Sequence, residues 1–151
     1  MALYNTISSL TIVQHNVLSW KSNKNSLIDN YLKVSPDIIL INSHGLKSTE
    51  HLKIPGFKTY KINYTESHAD GSAIAIKYNI PHKLFDDFDT DVLAVEIPTN
   101  LGPVIISTLY LPPRRPYLPF TDIYKLLNNN VPAYTYNRRF QCKSQNIWKC
   151  R

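Results

Sequence analysis

The chain has 151 residues, with 17 Lys and Arg against 11 Asp and Glu, and a formal charge of +6. That length suits one domain with a sizeable core, and 43% hydrophobic residues with 19% charged ones exclude a disordered chain. Its apolar runs fall well short of the roughly 18 residues that cross a bilayer, and Met1 to Ser9 lacks a basic stretch followed by an apolar one. The expectation is therefore a protein that is neither membrane-bound nor secreted, and nuclear or cytoplasmic. Two cysteines build neither a disulfide framework nor a four-thiolate zinc site.

The first element in chain order is Leu10 to Asn16, a β-branched run ending in polar residues, which predicts a buried strand. Ser22 and Asn23 are candidate N-caps for a helix. Leu27, Ile28, Tyr31 and Leu32 fall on one face of it. Ser35-Pro36 ends it, because the residue before proline avoids the helical region. Asp37 to Ile41 is a short apolar strand opening on Asn42-Ser43-His44-Gly45. A strand, helix and strand in this order predict parallel pairing of the two strands.

Further strands are expected at Phe57 to Ile62, Ser72 to Lys77, Asp91 to Ile97 and Val104 to Leu109. Asn100-Leu101-Gly102-Pro103 has the turn chemistry of an antiparallel hairpin. Four prolines between Pro112 and Pro119 predict an extended or looped stretch. A helix over 121–127 and a strand over 131–136 follow. The mixture of parallel and antiparallel pairing predicts α/β layers around mixed sheets. Asp86, Asp87, Asp89 and Asp91 lack the glycine and terminal glutamate of a calcium loop, and read as a solvated acidic turn.

Charge is unevenly spread. Residues 1–137 are almost balanced, whereas 138–151 hold Arg138, Arg139, Lys143, Lys149 and Arg151 with no acid, along with Cys142, Cys150 and Trp148. A basic arm of this kind is common in nucleic-acid binders.

Four motifs occur in order: Gln14-His15-Asn16-Val17 closing the first strand, Pro36-Asp37-Ile38-Ile39 leading the second, Asp70-Gly71-Ser72-Ala73-Ile74 opening a middle strand, and Tyr110-Leu111-Pro112-Pro113 after the hairpin. Together they resemble the endonuclease domain of non-LTR retrotransposons of the jockey-like kind. That domain belongs to the endonuclease/exonuclease/phosphatase superfamily, with DNase I and the apurinic endonucleases. The resemblance runs over about residues 8–136. It implies a four-layer α-β-β-α sandwich with mixed sheets, here partial, its C-terminal part missing. It also implies a hydrolase of a mobile element that nicks target DNA with Mg2+, joined in the parent polyprotein to a reverse transcriptase, an RNA-directed DNA polymerase. The partner implied is DNA, with no membrane and no small-molecule cofactor.

Carried over position by position, the resemblance makes Asn16 and Tyr110 catalytic residues. Ser43 stands where the family has a glutamate metal ligand, in a stretch reading Asn42-Ser43-His44. Serine is a neutral and poorer Mg2+ ligand. His44 is either a softer ligand or a loop histidine. Arg114 and Arg115, on a proline-stiffened loop, are either DNA-phosphate contacts or a solvated basic pair.

After Tyr136 the family expects Ile-Gly-Asp-Phe-Asn-Ala, which is absent. Permitted codons for Tyr136 to Trp148, read one nucleotide later, spell Ile-Ile-Gly-Asp-Phe-Asn-Ala-Asn-His-Lys-Ile-Phe-Gly. The expectation is that 1–136 is the N-terminal part of the endonuclease domain, and that 137–151 is an out-of-frame, disordered tail. The chain then reads as a fragment, inactive in this form. The alternatives are a non-catalytic module that binds nucleic acid through its basic tail and, ranked last, a small active nuclease.

Overall fold

The computed structural model describes residue 7, residues 9–63, 71–85 and 92–109, and the backbone of 146–150. Strand β1 (Leu10–Asn16) leads into helix α1 (Trp20–Val34), and β2 (Ile38–Asn42) returns parallel to β1 with Ile12 opposite Ile38 and Asn16 opposite Asn42. The helix starts two residues before the first candidate cap. Its N-cap is Ser19, which makes no side-chain cap bond. What holds the first turn is tertiary: Trp20 is buried and its N–H donates to the His44 carbonyl at 2.8 Å. Asn23 instead donates back to the carbonyls of Val17 and Ser19. The helix ends where proline predicts, with Ser35 left-handed at φ 50° and its N–H bonded to Tyr31.

Strands β3 (Phe57–Ile62) and β4 (Ser72–Lys77) extend the larger sheet, where β4 pairs antiparallel with both β3 and β2. Strands β5 (Lys83–Phe85), β6 (Val92–Thr99) and β7 (Gly102–Leu109) form a second, antiparallel sheet. The hairpin between β6 and β7 is the one expected, with Thr99 opposite Gly102. Gly102 has φ 114°, which suits a residue without Cβ.

Alternation along the strands sorts side chains into two cores. On β4, Ala73 and Ala75 face the helix side and are packed with Trp20, Leu27, Tyr31, Ile39 and Ile41. Ile74 and Ile76 face the second sheet and meet Leu93, Val95, Ile97 and Ile106. Small residues under the helix and large ones between the sheets let both layers close on one strand. The described residues thus supply a helix layer and two sheets of the expected sandwich. Leu32 differs from expectation: it is 63% exposed, while Leu27 and Tyr31 are buried. The inward stripe is completed by Trp20, about two turns earlier than the periodicity indicated.

The last strand, β8 (Asn146–Cys150), runs antiparallel to β1, giving the order β3-β4-β2-β1-β8 in one sheet and β5-β6-β7 in the other. This strand takes in 146–150 of the stretch expected as a tail. The physical reason is that the open edge of β1 offers main-chain donors and acceptors to any extended segment, whatever its side chains. The predicted helix at 121–127, the predicted strand at 131–136, and the acidic turn at Asp86 to Asp91 lie outside the described residues.

Candidate functional site

Three inward-facing positions turn polar at one end of the larger sheet. Asn16 of β1 stands opposite Asn42 of β2, and Asn42 stands opposite Ser72 of β4. Asn42 and Ser72 adjoin apolar inward residues on their own strands, Leu40 and Ile74, whereas Gln14 precedes Asn16. Thr108 repeats the pattern on β7, two residues beyond Ile106. Asn42, Ser72 and Thr108 are buried, and Asn16 is exposed.

Asn42 ties the two sheets together. Its Oδ1 accepts from Thr108 Oγ1 at 2.8 Å and from Ser72 Oγ at 3.2 Å. The first of these bonds spans the sandwich. It joins residues 66 apart in sequence.

Ser43 follows in the left-handed region, at φ 61° and with no solvent exposure, and its N–H donates to the Gly71 carbonyl at 2.8 Å. His44 is wholly buried. Its Nδ1 accepts from the Leu46 N–H at 3.0 Å, and its Nε2 lies 3.1 Å from the Ile62 carbonyl. A carbonyl only accepts, so the ring is the neutral tautomer with its proton on Nε2. His44 is thus a loop histidine that joins β2 to β3. Gly71, at φ 95°, lies against its ring, and a Cβ there would overlap both ring atoms and the Ile62 carbonyl.

His15 faces the helix side of β1. Tyr31 Oη lies 3.4 Å from its Nδ1, and the two rings meet edge to face. Burial lowers the His15 pKa below the ordinary imidazole value and raises that of the Tyr31 phenol.

The resemblance implies a divalent cation at this end. The described side chains here, Asn16, Asn42, Ser43, Ser72 and Thr108, are all neutral. No group of three His, Cys, Asp or Glu that could hold a metal occurs among the described residues. A hard cation such as Mg2+ needs anionic oxygens, Asn42 Oδ1 already carries two hydroxyl donors, and Ser43 is closed off from solvent. The described donors do not fit the ion.

Of the positions singled out in the sequence, the structure brings Asn16 beside Asn42, one residue from Ser43. Tyr110, Arg114 and Arg115 lie outside the described residues. Sequence reasoning missed Asn42, Ser72 and Thr108 as a set. The signal was there: each is the polar end of an otherwise apolar inward series. A separate groove of about 340 Å3, lined by Leu32, Pro55, Phe57, Lys77 and Tyr78 among others, lies at the opposite end of the same sheet.

No protein-family model matches the chain. A search of characterised proteins finds the RNA-directed DNA polymerase from mobile element jockey of Drosophila funebris, 23% identical over 103 residues, covering 64% of this chain and 11% of that protein. Among solved structures, the endonuclease domain of TRAS1, a telomere-specific non-LTR retrotransposon, superposes with a TM-score of 0.63 at 16% identity, over 78% of this chain and 54% of that one. The catalytic domain of Xenopus laevis APE2 gives 0.57 at 14% identity, over 78% of this chain and 50% of that one. An AP endonuclease from Archaeoglobus fulgidus gives 0.53 at 18%, over 78% and 47%. The chain thus spans about half of each solved chain and about a tenth of the jockey polymerase. Its fold is part of the DNase I-like endonuclease fold, and in sequence it is similar to the protein of a jockey mobile element.

Proposed function

We propose that this chain is a part of a non-LTR retrotransposon endonuclease that engages target DNA at the polar end of its sandwich and is catalytically inactive in this form. The observation that carries the reading is the row Asn16, Asn42 and Ser72 at the mouth between the sheets, which offers neutral donors and no carboxylate among the described residues. Such donors bind phosphoryl oxygens. They do not by themselves activate a water, which needs a base or a metal-bound hydroxide. In this reading Asn16 is a phosphate donor, Tyr110 a second one, and Arg114 and Arg115 contacts to the DNA backbone.

The absence of the Gly-Asp-Phe-Asn motif after Tyr136 is explained by a change of reading frame near residues 134–136, after which the chain is a translation of the wrong frame; Ser43 in place of the glutamate lies upstream of it. Residues 1–136 are then endonuclease sequence and 137–151 were never selected. The strand at 146–150 accords with this, because edge pairing uses main-chain groups and asks little of sequence. Two experiments test the reading. Incubated with supercoiled plasmid and Mg2+, the full chain is expected to produce no nicks above the Asn16→Ala control; efficient nicking lost in that variant would overturn the inactivity. The coding DNA from codon 130 onward is expected to continue, in the next frame, through a Gly-Asp-Phe-Asn motif into a reverse transcriptase. Immediate stops in that frame would refute the frame change.

A further inference from the structure

The Asn42 amide is held from both sheets. Its Oδ1 takes hydroxyl donors from both sheets, Ser72 from the neighbouring strand and Thr108 from across the sandwich. The Nδ2 donors bond to none of the described residues. Among those residues, no buried side-chain nitrogen or oxygen lacks a partner, and Asn42 keeps 8% of its surface exposed. Solvent therefore reaches Nδ2. With Oδ1 turned toward the two hydroxyls, the NH2 points away from them, toward the mouth, as a donor. It lies one strand, about 4.8 Å, from the exposed Asn16.

We propose that Asn42 positions a phosphodiester group, donating from Nδ2 to a phosphoryl oxygen, while Ser72 and Thr108 act through it by holding the amide. The inference rests on the DNA-binding reading above and adds to it the residue that orients the phosphate. The donor is neutral and needs no cation. Its hydroxyl partners draw density onto Oδ1 and so strengthen the N–H bonds it can give. It sits on rigid strands rather than a loop, which holds the donor in place without ordering cost when the ligand arrives.

The test uses the full chain, labelled with 15N, and inorganic phosphate followed by a short DNA duplex as probes. The Asn42 side-chain amide resonances are expected to shift saturably with phosphate. Asn42→Asp keeps an oxygen for both hydroxyls but replaces the donor with an anionic oxygen. It is expected to melt close to the parent chain, to lose the phosphate shift, and to bind the duplex at least about tenfold more weakly at fixed salt. Thr108→Val, which removes one of the two hydroxyls that hold the amide, is expected to weaken phosphate binding by a smaller factor. Asn42 resonances that stay still as phosphate is added would overturn the proposal, and this holds even if Asn42→Asp fails to fold. Unchanged duplex affinity in a folded Asn42→Asp would overturn it as well, leaving Asn42 only a tie between sheets. A phosphate shift in the parent chain with no duplex binding would keep the Asn42 site and refute the DNA reading instead.

Discussion

The two ends of the larger sheet are built from the same strands in the same register, yet they do opposite things. At one end Ile12, Ile38 and Ile76 lie in a row and face the second sheet. Four residues further along each strand the row reads Asn16, Asn42, Ser72. The apolar end is rimmed by charge: Asp37 accepts from the Thr11 N–H and pairs with Lys77 at 3.2 Å. The polar end carries neutral amides and hydroxyls, held by bonds that cross between sheets. The apolar end stabilises through burial, which tolerates no polar group without a partner. The polar end gives up that burial and gains donors fixed in space. Charge on this molecule therefore does not mark the site: the net +6 lies mostly in the tail, and the described mouth is uncharged.

The largest expected effect is at the apolar end. Ile76→Ala removes a side chain with no solvent exposure from between the sheets, and should cost about 2–5 kcal/mol, read as a lower denaturant midpoint with an unchanged slope. A loss under about 1 kcal/mol would mean that this end is not the stabilising one. At the polar end, Gly71→Ala should cost about 1–3 kcal/mol, because φ 95° strains any side chain and the new carbon meets the His44 ring. Here the accompanying change should be local, in the amide signals of His44 and Leu46. If Gly71→Ala is neutral, the loop that carries Ser43 and His44 is looser than its hydrogen bonds indicate.

The smallest effect concerns pH. Burial lowers the His15 pKa, so the unfolded chain binds the proton more readily than the folded one. His15 should favour the fold fully above the ordinary imidazole value of about 6.5. That contribution should fade as pH drops below it, toward the depressed folded value. His15→Gln should flatten the melting temperature between about pH 5 and 7, measured against the parent chain. An unchanged slope would assign the acid sensitivity to other groups.

Much of this was legible in the sequence. Strands β1, β3 and β4 lie where apolar content and β-branching predicted them, and the hairpin after β6 follows from Asn100 to Pro103. Asn16 closes β1 where the motif Gln14 to Val17 put the end of a strand. The start of α1 was not legible, because a buried Trp20 and the His44 carbonyl set it rather than a capping side chain. Strand β5 is too short to show a period. Strand β8 follows from the open edge of β1, which no local signal in 146–150 announces.

The sequence by itself determined which faces of the strands are apolar and where each inward series turns polar, because a side-chain period of two is written into consecutive residues. It also determined the helix stop at Ser35-Pro36 and the uneven charge. Only the tertiary structure decided that Thr108 meets Asn42, that His44 is a neutral strut against Gly71, and that Leu32 stays outside the core. These depend on which sheet faces which and at what register. Contacts between residues dozens of positions apart are set by the closing of the two layers, not by any local preference.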